Sequence, residues 1–257
     1  MKLDCILTAV NDNPLYIDFI PIFVRTWKKL YPDVDIKIIL VAKSIPEKFL
    51  SYKDHIILFE PIENVLTSYT SQIVRLFYPC IMNYKNGVMI TDMDMLPMNS
   101  TYYTEHIKDI DDDKFVYLRE KDCFIHKQMS MCYNVALPKV WKEIFGINKI
   151  TDIRIIIKYI FDNNVIKEGN IESNKSWFTD QLILYKKVMS WNEKTDRLVC
   201  LLDKKTGFKR LDRDRFSIED TVIRNNIING QYTDYHCFRP MNIYYDINYE
   251  IFDLLQR

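Results

Sequence analysis

Four apolar runs fall within the first hundred residues, and their spacing restricts the possible folds more than any other feature of the chain. "LDCILTAV" (Leu3–Val10), "VDIKIILVA" (Val34–Ala42), "HIILFEP" (His55–Pro61) and "GVMITDMDMLP" (Gly87–Pro97) each have the length of a buried strand. Between them lie two segments with helical spacing of apolar residues. These are Tyr16–Leu30, interrupted early by Pro21, and Thr67–Asn83, which is opened by hydroxyl residues suited to capping. Strands that alternate with helices predict βαβ units and a parallel sheet covered on both faces. The expected fold is therefore α/β: one Rossmann-like domain with a central, mostly parallel mixed sheet flanked by helices.

After Pro97 the rhythm changes. "KFVYLRE" (Lys114–Glu120) and "SMCYNVAL" (Ser130–Leu137) read as strands of mixed direction, and Pro138–Gly146 as a helix begun by proline and ended by glycine. Thr151–Asn164 reads as an amphipathic helix capped by Thr151 or Asp152, and Ser176–Trp191 as another helix. From Asn192 onward the chain is polar, with short strand-like pieces. Without a repeat or linker, one domain is expected over 1–257, with a nucleotide-type half at 1–98 and a more variable half at 99–257, which the family resemblance given below makes the acceptor-binding half.

Lys plus Arg and Asp plus Glu both total 35, so the net charge is zero, which argues against nucleic acid or an anionic membrane as main partner. None of the six cysteines forms a CxxC pair, and most lie in apolar runs, where a thiol acts as a small hydrophobe. The N-terminal apolar stretch is too short for a signal peptide and no run reaches membrane-spanning length. A cytoplasmic location is the expectation. Trp27, Trp141 and most of the other aromatics read as packing.

Asp92 and Asp94 end the fourth apolar run. The chain holds five Asp-x-Asp pairs, so the pattern alone says little. Only this one follows a strand of the alternating half, and open α/β sheets bind ligands beyond the carboxyl ends of their strands. "DIDDD" (Asp109–Asp113) reads as a solvated loop, and "LDRDRF" (Leu211–Phe216) as a surface segment balanced by its own arginines. In an extended Asp92–Met93–Asp94 both carboxylates share a face. They then repel unless a cation lies between them or one is protonated. Hard divalent ions take carboxylate oxygens and keep places for water and phosphate. The alternative is that the two acids cap the loop before Pro97.

The order of strand, polar loop, helix, two strands, a helix bearing Arg75 and a strand ending in Asp-x-Asp resembles the GT-A glycosyltransferases. "WFTDQLILY" (Trp177–Tyr185) is similar to the Asp-Gln element of glycogenin-like retaining transferases, which lies beside the reacting sugar. "YNVALPKVW" (Tyr133–Trp141) matches their Asn-containing strand and following helix in position. "DYHCFRP" (Asp234–Pro240) sits where such enzymes often supply a late histidine to the metal, although the usual glycine and lysine after it are missing. From about Met1 to Tyr185 the chain also resembles glycosyltransferase domains encoded by large DNA viruses of algae and amoebae.

The resemblance implies a nucleotide-sugar donor, UDP-linked by expectation, a glycan or other hydroxyl acceptor, and Mn²⁺ or Mg²⁺ held by Asp92, Asp94 and His236. It implies donor contacts from Thr8, Ala9, Val10, Asn11, Asp12, Arg75, Asp92 and Met93, and Asp180 with Gln181 beside the anomeric carbon. It favours retention of configuration in a hexosyl- or deoxyhexosyl-transferase. Each residue has a plainer reading: turn chemistry for 8–12, an exposed helix arginine for Arg75, a helix cap for Asp180 and a packed ring for His236. Two rival functions remain, a non-catalytic carbohydrate-binding protein and a sugar nucleotidyltransferase. Against the latter, "VNDNPLY" lacks the glycine-rich basic loop that such an enzyme places after its first strand.

Overall fold

Strand β1 (Leu3–Asn11) is a central strand of a seven-stranded sheet, pairing in parallel with β2 (Asp35–Val41) on one side and β4 (Gly87–Ile90) on the other. The computed structural model describes residues 1–120, 123–163 and 176–255. Between these strands come helix α1 (Ile20–Leu30), β3 (Ile56–Phe59) and α2 (Thr67–Phe77). Pro21 sits in the first turn of α1, where its missing N–H costs nothing, so it starts the helix instead of breaking it. The second helix ends sooner than its apolar spacing predicts. Pro79 falls in a 3₁₀ turn over Tyr78–Ile81 that closes it.

The run Gly87–Pro97 is not one strand. It divides into β4 and β5 (Met95–Pro97), which belong to different sheets, with a turn between them in which Met95 N–H donates to the Asp92 carbonyl at 3.3 Å. The extended geometry expected for Asp92–Met93–Asp94 is therefore absent, and with it the shared face. Gly87 opens β4 where no side chain fits. A Cβ there would lie 2.9 Å from Val135 Cγ2 and 3.0 Å from the Lys2 carbonyl oxygen.

The second half adds helix α3 (Tyr102–Glu105), β6 (Phe115–Glu120), α4 (Cys123–His126), β7 (Asn134–Ala136), α5 (Pro138–Phe145), α6 (Ile150–Asn163) and α7 (Thr179–Thr195). Then follow β8 (Leu198–Leu202), α8 (Asp203–Thr206), β9 (Arg210–Asp212), α9 (Thr221–Ile228), β10 (Asp234–His236) and α10 (Tyr245–Leu254). The main sheet has the order β3-β2-β1-β4-β7-β6-β8. Only β7 runs against the rest, since it is antiparallel to both neighbours while β8 is parallel to β6. The sheet is thus mixed but mostly parallel, as its alternating sequence predicts. Helix α5 closes at Gly146, which holds the left-handed φ of 70° that suits glycine after a helix. The Asp152 carboxylate accepts from the N–H groups of Asn148 and Lys149, so it ties the loop before α6 and does not sit at a cap position.

A small second sheet, β5-β10-β9, joins the two halves: β10 is antiparallel to β5 and parallel to β9. One contiguous core includes Phe19, Phe23, Trp27, Trp141 and Tyr235, all fully buried. Cys5, Cys80, Cys132 and Cys237 are free and buried, as apolar-run thiols should be. Among the described residues, no helix is long and apolar enough to cross a membrane.

Candidate active site

The strand order turns back between β1 and β4. From β1 the chain steps outward through β2 to β3, then returns to place β4 on the other side of β1. Crossovers leaving in opposite directions open a crevice beyond the carboxyl ends of those two strands, the usual ligand position in open α/β sheets. Here the last β1–β4 pair is Leu7 with Ile90, yet β1 continues to Asn11, paired with β2 alone. The edge from Thr8 to Asn11 is therefore unpaired on the β4 side. Thr8, Val10 and Asn11 are buried, backbone included, Ala9 is half-buried and Asp12 is exposed, so Ala9 and Asp12 are the accessible residues at this end of the strand. The Asn11 side-chain amide donates to Thr67 Oγ1 at 3.1 Å, which joins the end of β1 to the start of α2.

Across the crevice, Asp92 and Asp94 go to different partners. Asp92 is ion-paired with Arg75 of α2, whose other guanidinium nitrogen lies 2.8 Å from Asp180 Oδ2. Arg75 also donates to the Thr91 carbonyl at 3.2 Å and is buried, so it is not the ordinary surface arginine of the plainer reading. Burial alone would weaken its proton affinity, but Asp92 and Asp180 outweigh burial and raise its pKa. Asp180 is 1% exposed. Gln72 donates to its Oδ1 at 3.1 Å and the Gln181 N–H at 2.9 Å. Burial pushes the Asp180 carboxyl up, and Arg75 offsets this only in part. Asp180 lies in the first turn of α7, whose N-cap position belongs to Phe178, so its carboxylate acts across the fold and not as the cap. Gln181 is half-buried, and its carbonyl accepts from the Met129 N–H at 3.2 Å. Met93, between the two acids, is buried.

Asp94 faces the small sheet. Its Oδ2 lies 3.1 Å from Arg213 Nη1, 3.4 Å from His236 Nε2 and 3.7 Å from Arg239 Nη1. Burial would push this carboxyl up, but contact with His236 and the charge of Arg213 outweigh it and hold Asp94 below its ordinary value. The strand ladders bring these residues together: His236 sits opposite Met95 in β5 and opposite Asp212 in β9. The Cys237 N–H donates to the Asp94 carbonyl at 2.9 Å, and Arg213 Nη1 to the Cys237 carbonyl at 2.7 Å.

Arg213 and Asp212 come from "LDRDRF", read above as a surface segment. That expectation is corrected for these two, because β9 pairs with β10 and draws them, both half-buried, into the site; Asp214 remains exposed. No sequence signal separated them from a charge-balanced loop, since the pairing joins strands 24 residues apart. Arg239 was legible only as the basic residue after a histidine. Its guanidinium lies 5.2 Å from the Tyr16 ring centre and 5.5 Å from that of Trp177, and burial lowers its pKa. Trp177 is half exposed, and its carbonyl accepts from Gln72 Nε2 at 2.6 Å.

Whether a divalent cation fits can be tested on His236. Its Nδ1 lies 3.1 Å from Asp212 Oδ1, so both ring nitrogens face carboxylate oxygens. A neutral imidazole carries one N–H. With Nε2 given to a cation, that hydrogen would lie on Nδ1, directed at Asp212. Among the described residues, no three His, Cys, Asp or Glu side chains gather at one point. Asp94 and His236 are two donors, the kind of set that Mg²⁺ or Mn²⁺ completes with water and phosphate oxygens. The residues present fit such an ion, with Asp92 committed to Arg75.

No protein-family model matches the chain, and no curated protein matches it. Among solved structures it is similar to the galactosyltransferase LgtC in complex with donor and acceptor sugar analogs. The two share 13% identity and a TM-score of 0.48, over 90% of this chain and 86% of that one. It is also similar to the glycosyltransferase GlyE of Streptococcus pneumoniae TIGR4, at 16% identity and a TM-score of 0.47, over 81% of this chain and 47% of that one. The bifunctional WbbM shares 11% identity and a TM-score of 0.44, over 91% and 45% of the two chains. The chain thus spans about half the length of GlyE and WbbM.

Proposed function

We propose that the chain is a glycosyltransferase that moves a sugar from a nucleotide-sugar donor, UDP-linked, to a hydroxyl of a glycan acceptor. One observation carries this reading. Beyond the last β1–β4 pair, the β1 edge from Thr8 to Asn11 is unpaired on the β4 side, and the segment after β4 holds a buried carboxylate, Asp94, ringed by a histidine and two arginines. The unpaired edge, accessible at Ala9, suits the hydrogen-bonding rim of a base, and the exposed Asp12 beyond it suits a ribose. Arg213 and Arg239 supply positive charge where a diphosphate would lie, and a guanidinium matches phosphate oxygens in pairs.

Asp94 and His236 would hold Mn²⁺ or Mg²⁺, which when bound stabilises charge on a departing diphosphate as a Lewis acid. The chain's own residues do the rest. Asp180 is a positioning residue, because its oxygens are engaged by Arg75, Gln72 and the Gln181 N–H, and it acts on the crevice through Arg75 and Asp92. Arg75 holds Asp92 on the β4 side of the crevice, where that acid can accept from donor hydroxyls. The half-exposed Trp177 at the mouth offers an apolar face to an acceptor sugar. The resemblance of the Asp180–Gln181 segment supports retention, which NMR of the product's anomeric proton reads directly.

The test is donor turnover. Incubation with a panel of nucleotide sugars and Mn²⁺ should release nucleoside diphosphate, and Asp94→Asn should reduce that release at least a hundredfold with an unchanged circular dichroism spectrum. Full Mn²⁺-dependent activity in Asp94→Asn would remove Asp94 from the site. No release from any donor, with or without acceptors, would favour a carbohydrate-binding module.

A further inference from the structure

We propose that Asp212 is a positioning residue: it fixes the His236 imidazole through Nδ1, so that Nε2 faces Asp94 as the second protein donor to a divalent cation. This rests on the functional reading above. The first support is the register. Parallel pairing sets His236 of β10 opposite Asp212 of β9, and the Arg213 N–H donates to the His236 carbonyl at 3.3 Å, so both backbones are held. The contact of Nδ1 with Asp212 Oδ1 at 3.1 Å is thus built into the sheet and does not depend on a loose side chain.

The second support is that the surroundings of this ring set it apart. The other histidines are placed differently: His55 Nδ1 faces the Ile36 carbonyl, His106 packs edge-on against Tyr102, and His126 is exposed. Among the described residues, His236 alone has carboxylates at both ring nitrogens. An acid behind a ligating histidine fixes its tautomer and raises its basicity, and losing such an acid typically weakens metal affinity by about 10–100-fold.

The experiment is a Mn²⁺ titration followed by electron paramagnetic resonance, in the presence of UDP or GDP, on the wild type, Asp212→Ala and Asp212→Asn, with thermal unfolding measured in parallel. Asp212→Ala should weaken Mn²⁺ binding by about 10–100-fold. Asp212→Asn keeps an acceptor for Nδ1–H but loses the charge, and should fall at the lower end of that range. A purely structural role would lower the unfolding midpoint and leave the affinity alone. Wild-type affinity in both folded variants would overturn the role of Asp212 while the metal site stood. If Asp212→Ala does not fold, wild-type affinity in Asp212→Asn would overturn it equally. No nucleotide-dependent Mn²⁺ binding by the wild type would overturn both this inference and the metal reading beneath it.

Discussion

Replacing Arg75 by methionine tests the arrangement on the β4 side of the crevice. Arg75 is buried between Asp92 and Asp180, and Asp180 is 1% exposed. Methionine fills most of the same volume but leaves Asp180 with only Gln72 and the Gln181 N–H. Removing one partner of a buried ion pair strands the other charge and costs about 3–5 kcal/mol. That is a large part of the roughly 5–15 kcal/mol that holds a domain folded. Asp180→Asn is gentler, because Arg75 keeps Asp92, and should cost about 1–2 kcal/mol. In the double variant no buried charge is stranded at Asp180. Its loss should fall short of the summed single losses by about 2 kcal/mol, within the range seen for contacting pairs.

Urea unfolding followed by tryptophan fluorescence measures all four proteins, at pH 7 and pH 5. Burial already holds the Asp180 carboxyl above its ordinary value, and losing Arg75 raises it further. A carboxyl with its folded pKa above its unfolded one binds the proton more tightly when native. Its penalty is full above the folded pKa and is relieved as pH falls through it. Arg75→Met should therefore regain stability relative to wild type between pH 7 and pH 5. Additive losses within about 0.5 kcal/mol, together with a pH-independent difference, would refute the reasoning.

Two further outcomes follow from packing. Gly87→Ala should destabilise the fold by about 1–3 kcal/mol, the usual cost of overfilling a core, because the new Cβ meets Val135 and the Lys2 carbonyl; an unchanged urea midpoint would show that β4 and β7 can part there. Burial pushes the Cys5 and Cys80 thiols up to about 12. At pH 8 only about one in 10⁴ would be thiolate, so iodoacetamide should label neither until urea unfolds the chain, as peptide mass spectrometry would reveal.

The α/β class was legible because a covered parallel sheet demands continuous apolar strands, and the runs at Leu3, Val34, His55 and Gly87 have no other economical use. The ends of elements were less legible. Whether Gly87–Pro97 was one strand or two depended on β10, more than a hundred residues later, offering β5 a separate partner. Strand β8, five apolar residues in a row, is submerged in the polar stretch from Asn192 onward, and its place at the sheet edge beside β6 is set by tertiary pairing alone. The helix expected over 151–164 ends at Asn164, which lies outside the described residues.

The candidate site divides along the same line. Asp94 could be picked from its position after a strand and His236 from the family resemblance alone, and the structure brings them within 3.4 Å of each other. The ladder of β5, β10 and β9 supplied their neighbours Asp212, Arg213 and Arg239, and the packing of α2 against α7 committed Asp92 and Asp180 to one arginine. By itself the sequence determined where apolar matter must be buried, since periodicity is local and each run carries its own record of it. Only the tertiary structure decided which charges face each other. Coulomb forces and hydrogen bonds act over a few ångströms of space, whatever the separation along the chain.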